Sequence, residues 1–384
     1  MIYLHDATLY TPAEKIEHGA LICSGDTILA MGQAHDLPCP TDARSINMSG
    51  LSLVPGFIDL QINGAFGMDF TSDPNTIWRV GDRLTRFGVT SFLPTIISSP
   101  AETIRHAQAV LQEGPPSGYH GARAIGLHIE GPYLNPEKSG AHDPSYLRLP
   151  DPKEYQQWNR KTNISMVTLA PELPGAIEAI QTLSRNGVAV SAGHSQASFT
   201  QAEEGFRAGI RYGTHLFNAM PALDHHQPGL VGALLEDTRL IAGMIVDGIH
   251  VHPAMANLAW KILRADRTSL VTDAIAALGM EARTYQLAGR KVVVDGSSAR
   301  LEDGRLAGSV FSLDQALRNL MAFTNCSLQE ALLTVTQVPA RLLSIDTSIG
   351  TLTVGNKADF VLLSPDLKVA GVWINGQAIV AEGE

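Results

Sequence analysis

Two histidines and two carboxylates follow short apolar segments in the middle of the sequence, and all four can bind a metal ion or move a proton. Glu130 ends the first of these segments, His194 and His215 follow two later ones, and Asp273 ends a fourth. Imidazole and carboxylate ligands together suit zinc, and a catalytic zinc keeps three protein ligands and one water. These residue types therefore predict one divalent metal bound by Glu130, His194 and His215.

Asp273 is the expected proton-transfer group at this metal. A carboxylate beside a metal site can take a proton from water, and a bound metal lowers the pKa of that water toward neutrality. An aspartate after a strand can also cap the following segment. Because three metal-competent residues occupy comparable positions, we favour the general base. His250 follows another apolar segment, where it could donate to a developing oxyanion or lie in a surface turn.

These residues need a scaffold that brings distant strand ends together, and the chain pattern predicts one. Between residues 54 and 350, apolar segments alternate with amphipathic helices such as 75–88, 253–265 and 312–325. Such alternation is typical of a parallel sheet covered by helices. Eight units predict a TIM-like (β/α)8 barrel of the α/β class, although an open doubly wound sheet would give similar local patterns. The predicted strands are residues 54–62, 91–97, 124–131, 164–171, 188–194, 212–218, 240–247 and 269–274.

In a barrel, functional residues lie at the carboxyl ends of the strands. His194 and His215 are 21 residues apart, the length of one strand-and-helix unit. They are therefore expected beside each other, at the ends of the fifth and sixth strands. Glu130 and Asp273 end the third and eighth strands. His128, two residues before Glu130, is expected deeper in the barrel core.

The two ends of the chain have a different pattern, with short strands separated by turns. Ser24-Gly25-Asp26 and Asn375-Gly376 each lie between apolar runs and indicate hairpins. Two such ends around an α/β middle predict one small sheet domain built from both termini. The predicted domains are 1–53 with 351–384 for this sheet domain, and 54–350 for the catalytic barrel.

The composition excludes several classes of protein. The 384 residues are 45% hydrophobic and 17% charged, which supports a large folded core. The net charge is −10 and no basic run exceeds two residues, so neither nucleic acid nor a membrane is expected as a partner. The three cysteines are scattered, and neither a signal peptide nor a long apolar span is apparent. A cytoplasmic protein is the expectation.

One rival motif predicts a different chemistry. Gly193-His194-Ser195-Gln196-Ala197 loosely matches the nucleophile elbow of serine hydrolases, with alanine in the last position. Ser195 would then attack an acyl group, whereas the simpler interpretation makes it a helix cap. The rival leaves Glu130 and His215 without a role, so the metal site is preferred.

Six sequence blocks resemble the N-acetylglucosamine-6-phosphate deacetylase family of the amidohydrolase superfamily. They occur in order over nearly the whole chain, and the second, fourth and fifth together are specific to this family. The blocks are Pro55-Gly-Phe-Ile-Asp59, Leu127-His-Ile-Glu-Gly-Pro132, Thr168-Leu-Ala-Pro-Glu172, Ser191-Ala-Gly-His-Ser195, Thr214-His-Leu-Phe-Asn-Ala-Met-Pro221 and Val271-Thr-Asp273.

The resemblance implies a TIM-like barrel with a small β-sandwich formed by both termini. It also implies hydrolysis of the acetamide of an amino-sugar phosphate to amine and acetate, in amino-sugar catabolism, by a homodimer or higher homo-oligomer. Glu130, His194 and His215 match the family's metal ligands, and Asp273 its acid/base. The implied substrate-binding residues are Gln61, Ala141, His142, Asn218, Ala219, His226, His250, Leu306, Ala307 and Gly308.

Two departures from the family pattern change the expectations. Gln61-Ile62-Asn63 replaces the His-x-His that many superfamily members carry on the first strand, and amides are poor ligands for such metals. One metal is therefore expected, zinc first, with Fe²⁺, Co²⁺ or Mn²⁺ as alternatives. His226 stands where some relatives have an arginine that can grip phosphate. Histidine is not a fixed cation, so phosphate affinity or its pH dependence should differ.

Several alternatives remain open on the sequence. Close relatives act on the galactosamine epimer, and the motifs do not separate the two sugars. A cyclic-amide hydrolase would need the two-metal first strand that Gln61 and Asn63 do not supply. A serine hydrolase using Ser195 and a non-catalytic sugar-phosphate sensor are the remaining candidates.

Overall fold

The computed structural model describes residues 1–380, so residues 381–384 of the predicted sandwich lie outside the described part. Strands from both ends of the chain form one continuous eight-stranded sheet, which confirms the predicted small sheet built from both termini. The division of the chain into domains at residues 54 and 350 stays a prediction. The strands are Ile2–Tyr10, Lys15–Ser24, Thr27–Gln33, Arg44–Asn47, Ser52–Pro55, Phe360–Leu363, Val369–Ile374 and Gln377–Val380.

The termini are joined by an antiparallel pairing of Phe360–Leu363 with Ser52–Pro55. The sheet also folds back on itself. Ile28 N–H donates to Asn356 O at 2.9 Å, which connects the third strand to the segment before Phe360. Enclosed by this curvature is a separate apolar core that contains Leu21, Phe360 and Trp373. The terminal sheet therefore has an apolar core of its own.

Eight parallel strands form the barrel, and each pairs with the next one along the chain. The ring is closed by Asp273 N–H, which donates to Gln61 O at 2.8 Å, and by Asn63 N–H, which donates to Ala274 O at 2.8 Å. The predicted barrel is confirmed. Its strands are Phe57–Ile62, Val89–Ile97, Leu127–Glu130, Ile164–Leu169, Ala189–Ala192, Tyr212–Gly213, Ile241–Met244 and Thr268–Leu270.

The helices begin and end at residues suited to those positions. Pro253 opens its helix, where a missing N–H costs nothing, and Asn325 ends another in the left-handed conformation at φ 56°. Among residues 1–380, no helix combines the length and apolarity needed to cross a bilayer. The helices are Ile77–Leu84, Ala101–Glu113, Pro152–Tyr155, Ala176–Arg185, Phe199–Ala208, Gly229–Glu236, Pro253–Arg267, Leu313–Thr324, Leu328–Val335 and Gln337–Leu342.

Several barrel strands are shorter than predicted. The fifth, sixth and eighth strands end at Ala192, Gly213 and Leu270, two to three residues before the functional side chain. The cause is the backbone of His194, His215 and Asp273, whose φ angles of 49°, 32° and 47° leave the extended conformation. At the start of the barrel, residues 54 and 55 belong to the terminal sheet rather than to the first strand.

A three-stranded antiparallel sheet between the eighth barrel strand and helix Leu313–Thr324 was not predicted. Its apolar face packs with Ile97 and Ile275 above the barrel. The sequence signals that could have predicted it are the alternation of polar and apolar residues in Thr284-Tyr-Gln-Leu287 and the Asp295-Gly296 dipeptide. The strands are Thr284–Leu287, Arg290–Val294 and Ala299–Leu301.

Candidate metal centre and active site

The side chains of Glu130, His194 and His215 converge at the mouth of the barrel, and all three are buried. Glu130 Oε1 lies 3.1 Å from His215 Nε2 and 3.3 Å from His194 Nε2. The two Nε2 atoms are 3.1 Å apart. Potential ligand atoms of all three residues lie within 4.8 Å of one another, and one carboxylate with two imidazoles is a donor set that divalent zinc accepts. The arrangement therefore fits a single divalent ion.

Contacts behind the cluster orient its side chains. His194 Nδ1 donates to Lys138 O at 2.7 Å, which orients the ring so that Nε2 faces Glu130. Gln61 Nε2 donates to Glu130 Oε1 at 2.9 Å. His194 and His215 both have positive φ, a conformation that costs non-glycine residues about 1–3 kcal/mol each. The surrounding barrel thus stabilises a strained backbone conformation at His194 and His215.

The electrostatics of the cluster favour an ionised carboxylate. Burial alone would raise the pKa of Glu130, but the hydrogen bonds and charges of His194 and His215 hold it well below its ordinary value. Burial opposes protonation of His215, yet its contact with Glu130 raises its pKa. The carboxylate is therefore already in the deprotonated state that metal binding requires.

Asp273 lies beside this cluster and accepts hydrogen bonds from two amide side chains. Asn63 Nδ2 donates to its Oδ1 at 2.7 Å, and Gln61 Nε2 donates to the same atom at 3.2 Å. Burial raises the pKa of Asp273 to about 6, and the nearby charge of Glu130 adds to the shift. A carboxyl group with a pKa near neutrality can both accept and return a proton.

The amide side chains of Gln61 and Asn63 face the carboxylates of Glu130 and Asp273. Gln61 uses the same Nε2 to reach Glu130 and Asp273, so it ties the candidate ligand to the candidate base. With N–H groups pointing at these carboxylates, the first strand stabilises negative charge by hydrogen bonding rather than through a second cation. Gln61 and Asn63 therefore act here as hydrogen-bond donors to the two carboxylates.

His142 adds a neutral hydrogen-bond donor. Ser98 N–H donates to His142 Nδ1 at 3.2 Å, so the ring proton belongs on Nε2. Burial, followed by the charge of His194, lowers the pKa of His142 to about 3, and the ring is neutral at pH 7. His142 Nε2 lies 3.8 Å from Glu130 Oε2, too far for a hydrogen bond. The proton can therefore be offered to a substrate oxygen.

His250 is oriented by a carboxylate in the same manner as many catalytic histidines. Its Nδ1 donates to Asp247 Oδ2 at 2.7 Å, while Asp247 Oδ1 accepts the backbone N–H groups of Ile249 and His250 at 2.8 Å each. The ring lines the cavity above the metal cluster. Asp247 therefore fixes the tautomer and leaves His250 Nε2 as the free ring nitrogen.

A cavity of about 340 Å³ joins these residues. Two of the predicted residues are buried and do not line it: Gln61 is buried against Glu130, and Ala307 is buried between the lining residues Leu306 and Gly308. His226 is exposed in a loop and does not line the cavity of this subunit. The predicted residues that do line it are Glu130, Ala141, His142, His194, His215, Asn218, Ala219, His250, Asp273, Leu306 and Gly308.

The sequence interpretation missed several residues that shape the cavity. Lys138 and Arg305 line it, and Asn63 holds Asp273. Arg290 donates from Nη1 to Ala141 O at 3.0 Å and to His142 O at 2.9 Å, so the unpredicted sheet secures the loop that carries His142. No local sequence pattern predicts these contacts, because each one joins residues that are far apart in the chain.

Ser195 is hydrogen-bonded within the fold and lies away from the cavity. Its hydroxyl donates to Glu172 Oε2 at 2.7 Å and accepts Ala197 N–H at 2.9 Å, and it does not line the cavity. The expected cap role was misplaced by three residues, because the helix Phe199–Ala208 is capped by Ser198. The geometry gives no support to a serine nucleophile.

His128 and Asp59 form part of a polar layer beneath the Glu130-His194-His215 cluster. His128 is fully buried, as predicted, and its Nε2 lies 2.7 Å from Thr168 Oγ1. Asp59 Oδ2 accepts Thr272 Oγ1–H at 2.6 Å, which ties the first strand to the eighth next to Asp273. Burial raises the pKa of Asp59 to about 7. This layer fixes the barrel seam from which Gln61 and Asp273 project.

Comparison with known proteins identifies the family. The model of the amidohydrolase family matches residues 52–379. This chain belongs to the amidohydrolase family. Human N-acetylglucosamine-6-phosphate deacetylase is a 40% identical amidohydrolase relative, aligned over 86% of this chain and 84% of its own.

Two further relatives extend the comparison. N-acetylgalactosamine-6-phosphate deacetylase of Escherichia coli O157:H7 is 37% identical, over 85% of this chain and 87% of its own. The crystal structure of N-acetylglucosamine-6-phosphate deacetylase from Pasteurella multocida matches with a TM-score of 0.92 at 31% identity, covering 98% of this chain and 99% of that chain. The family resemblance predicted from the sequence blocks is confirmed.

The substitution Glu130→Gln should remove the metal. The amide carries no charge and is a weak ligand, so the two histidines alone should not retain a divalent ion through dialysis. Metal content per chain checks this, with Glu137→Gln as the control, because Glu137 lines the same cavity outside the cluster. One metal per chain in Glu130→Gln would contradict the assigned ligand set.

Proposed function

We propose that this chain is a metal-dependent deacetylase that hydrolyses N-acetylglucosamine 6-phosphate to glucosamine 6-phosphate and acetate. The observation that carries the proposal is the meeting of the Glu130-His194-His215 cluster with Asp273 in one cavity. Metal-assisted hydrolysis of an amide needs this combination of metal ligands and a proton carrier. The names of the relatives supply the substrate class, an N-acetylated amino-sugar phosphate.

Glu130, His194 and His215 would hold the divalent ion, which supplies Lewis-acid polarisation and a lowered water pKa when bound. Asp273 takes a proton from the attacking water at its free Oδ2, since Oδ1 is occupied by the Asn63 and Gln61 amides. Asp273 then returns the proton to the leaving nitrogen, so that the sugar departs as an amine.

One histidine is suited to the developing charge on the acetyl oxygen. His142 is neutral, carries its proton on Nε2 and lines the cavity. A donor that is fixed before the reaction stabilises an oxyanion without further reorganisation. His250 uses its Nδ1 proton in the hydrogen bond to Asp247, so its Nε2 is left to accept a hydrogen bond from a hydroxyl group of the sugar.

Zinc is the proposed metal, with Fe²⁺, Co²⁺ or Mn²⁺ as alternatives. Two imidazoles and one carboxylate suit these ions better than Mg²⁺ or Ca²⁺, which prefer oxygen ligands. A homodimer or higher homo-oligomer is proposed from the family resemblance. In such an assembly, exposed His226 would be available to a neighbouring subunit.

The galactosamine epimer is the second candidate substrate, because one relative of similar identity carries that name. Acetate release should therefore be measured on N-acetylglucosamine 6-phosphate and N-acetylgalactosamine 6-phosphate with metal-loaded protein. The proposal predicts a higher kcat/KM for the first. A preference for the second would reassign the substrate, and no acetate from either would contradict deacetylation and favour a sensor.

Replacing Asp273 with asparagine should separate metal binding from catalysis. Asparagine cannot carry the proton, so kcat should fall by about 10² to 10⁴-fold, the usual contribution of a positioned acid or base. Metal content should remain at one ion per chain, because Asp273 is outside the proposed ligand set. A variant with normal metal and near-normal kcat would remove Asp273 from the reaction.

A further inference from the structure

We propose that Lys138 is the cation with which this chain binds the phosphate group of its substrate. The inference rests on the proposed function in one respect, that the substrate is phosphorylated. It concerns a residue that the sequence interpretation did not select, in the loop between Glu130 and His142.

The charge of Lys138 is uncompensated. Its Nζ donates to Met220 O at 3.0 Å, and within residues 1–380 it forms no salt bridge with a carboxylate. Arg305 also lines the cavity, but its guanidinium pairs with Asp303 at 2.6 Å and donates to Gly140 O at 2.7 Å. Lys138 therefore lines the cavity with N–H donors and a positive charge that no carboxylate pairs with in the described residues. An ammonium group that is partly shielded from water interacts with an anion more strongly than an exposed one.

The position of Lys138 connects the two ends of the site. Its backbone carbonyl holds His194 Nδ1 at 2.7 Å, so this loop is fixed to the metal cluster. Its side chain extends to Met220, which directly follows Asn218 and Ala219 on the cavity wall. An anion held there would share the cavity with an amide at the metal cluster, as a substrate bearing both groups requires.

A phosphate ester needs such a partner. Moving its charge out of water without a cation or several donors is costly, and lysine is an effective point charge for phosphate. His226, predicted for this role from the family pattern, lies outside the cavity of the subunit that contains Lys138. Lys138 would thus supply a fixed positive charge from within the same subunit.

The test compares Lys138→Met with Lys138→Arg on N-acetylglucosamine 6-phosphate and on unphosphorylated N-acetylglucosamine. Both variants keep the backbone carbonyl that orients His194, and metal content verifies that the cluster is intact. The quantity compared is kcat/KM for the phosphorylated sugar divided by kcat/KM for the unphosphorylated sugar. A substitution that damages the active site in general lowers both values, whereas loss of a phosphate contact lowers the ratio. Lys261→Met, on the exposed face of helix Pro253–Arg267, serves as the control.

We expect the ratio to fall about tenfold or more in Lys138→Met, since a lost hydrogen bond to a charged group weakens binding by that order. Lys138→Arg should retain most of the ratio, and Lys261→Met should not change it. An equal loss on both sugars in Lys138→Met, or an unchanged ratio, would overturn the proposal. A ratio that falls in His226→Ala but not in Lys138→Met would also overturn it, because the phosphate would then be assigned to His226.

Failure of the proposed function can be told apart from failure of this inference. If the native protein releases acetate from neither sugar, deacetylation is contradicted, and binding of inorganic phosphate is then measured by calorimetry. Weaker phosphate binding by Lys138→Met than by Lys261→Met would still support the anion site. Equal binding by the two variants, or no binding by the native protein, would overturn it.

Discussion

One buried carboxylate oxygen, Glu130 Oε1, is the point on which the active site depends. Two imidazole nitrogens and an amide N–H lie within 3.3 Å of it. A carboxylate removed from water is costly unless it is paired, and breaking a buried charge network leaves an uncompensated ion. The barrel satisfies this requirement by bringing the ends of four strands to one place, and a divalent cation would complete the compensation.

The strained conformations of His194, His215 and Asp273 follow from the same requirement. Each residue comes just after a barrel strand and has positive φ, which turns its side chain away from the regular alternation of the strand. Strain of this kind persists only where the surroundings over-determine the backbone. The closed barrel, the Asp59–Thr272 hydrogen bond at its seam and the Lys138 carbonyl behind His194 provide those constraints.

Much of this arrangement could be predicted because it depends on periodicity and residue type. Eight apolar segments implied the barrel, and polar residues after those segments implied the cluster of Glu130, His194, His215 and Asp273. The strand ends were overestimated, since apolarity continues past the point where backbone strain interrupts the extended conformation. Family motifs, rather than spacing, supplied residues such as Ala141 and Leu306.

The features that escaped prediction depend on long-range contacts. Lys138 lies close to Met220 only because the barrel brings strands three and six toward a common mouth. Arg290 reaches the His142 loop from a small sheet whose alternating pattern is short and was overlooked. Asn63 was noted at a strand end, but its contact with Asp273 depends on barrel closure between the first and eighth strands. A local sequence pattern cannot predict contacts between residues so far apart in the chain.

A metal titration tests the central claim most directly. Protein freed of metal by a chelator is titrated with zinc while acetate release from N-acetylglucosamine 6-phosphate is followed. A single site on Glu130, His194 and His215 predicts that the rate rises from near zero and reaches its plateau at one zinc per chain. Full activity without metal, or a plateau only at two ions per chain, would contradict the account.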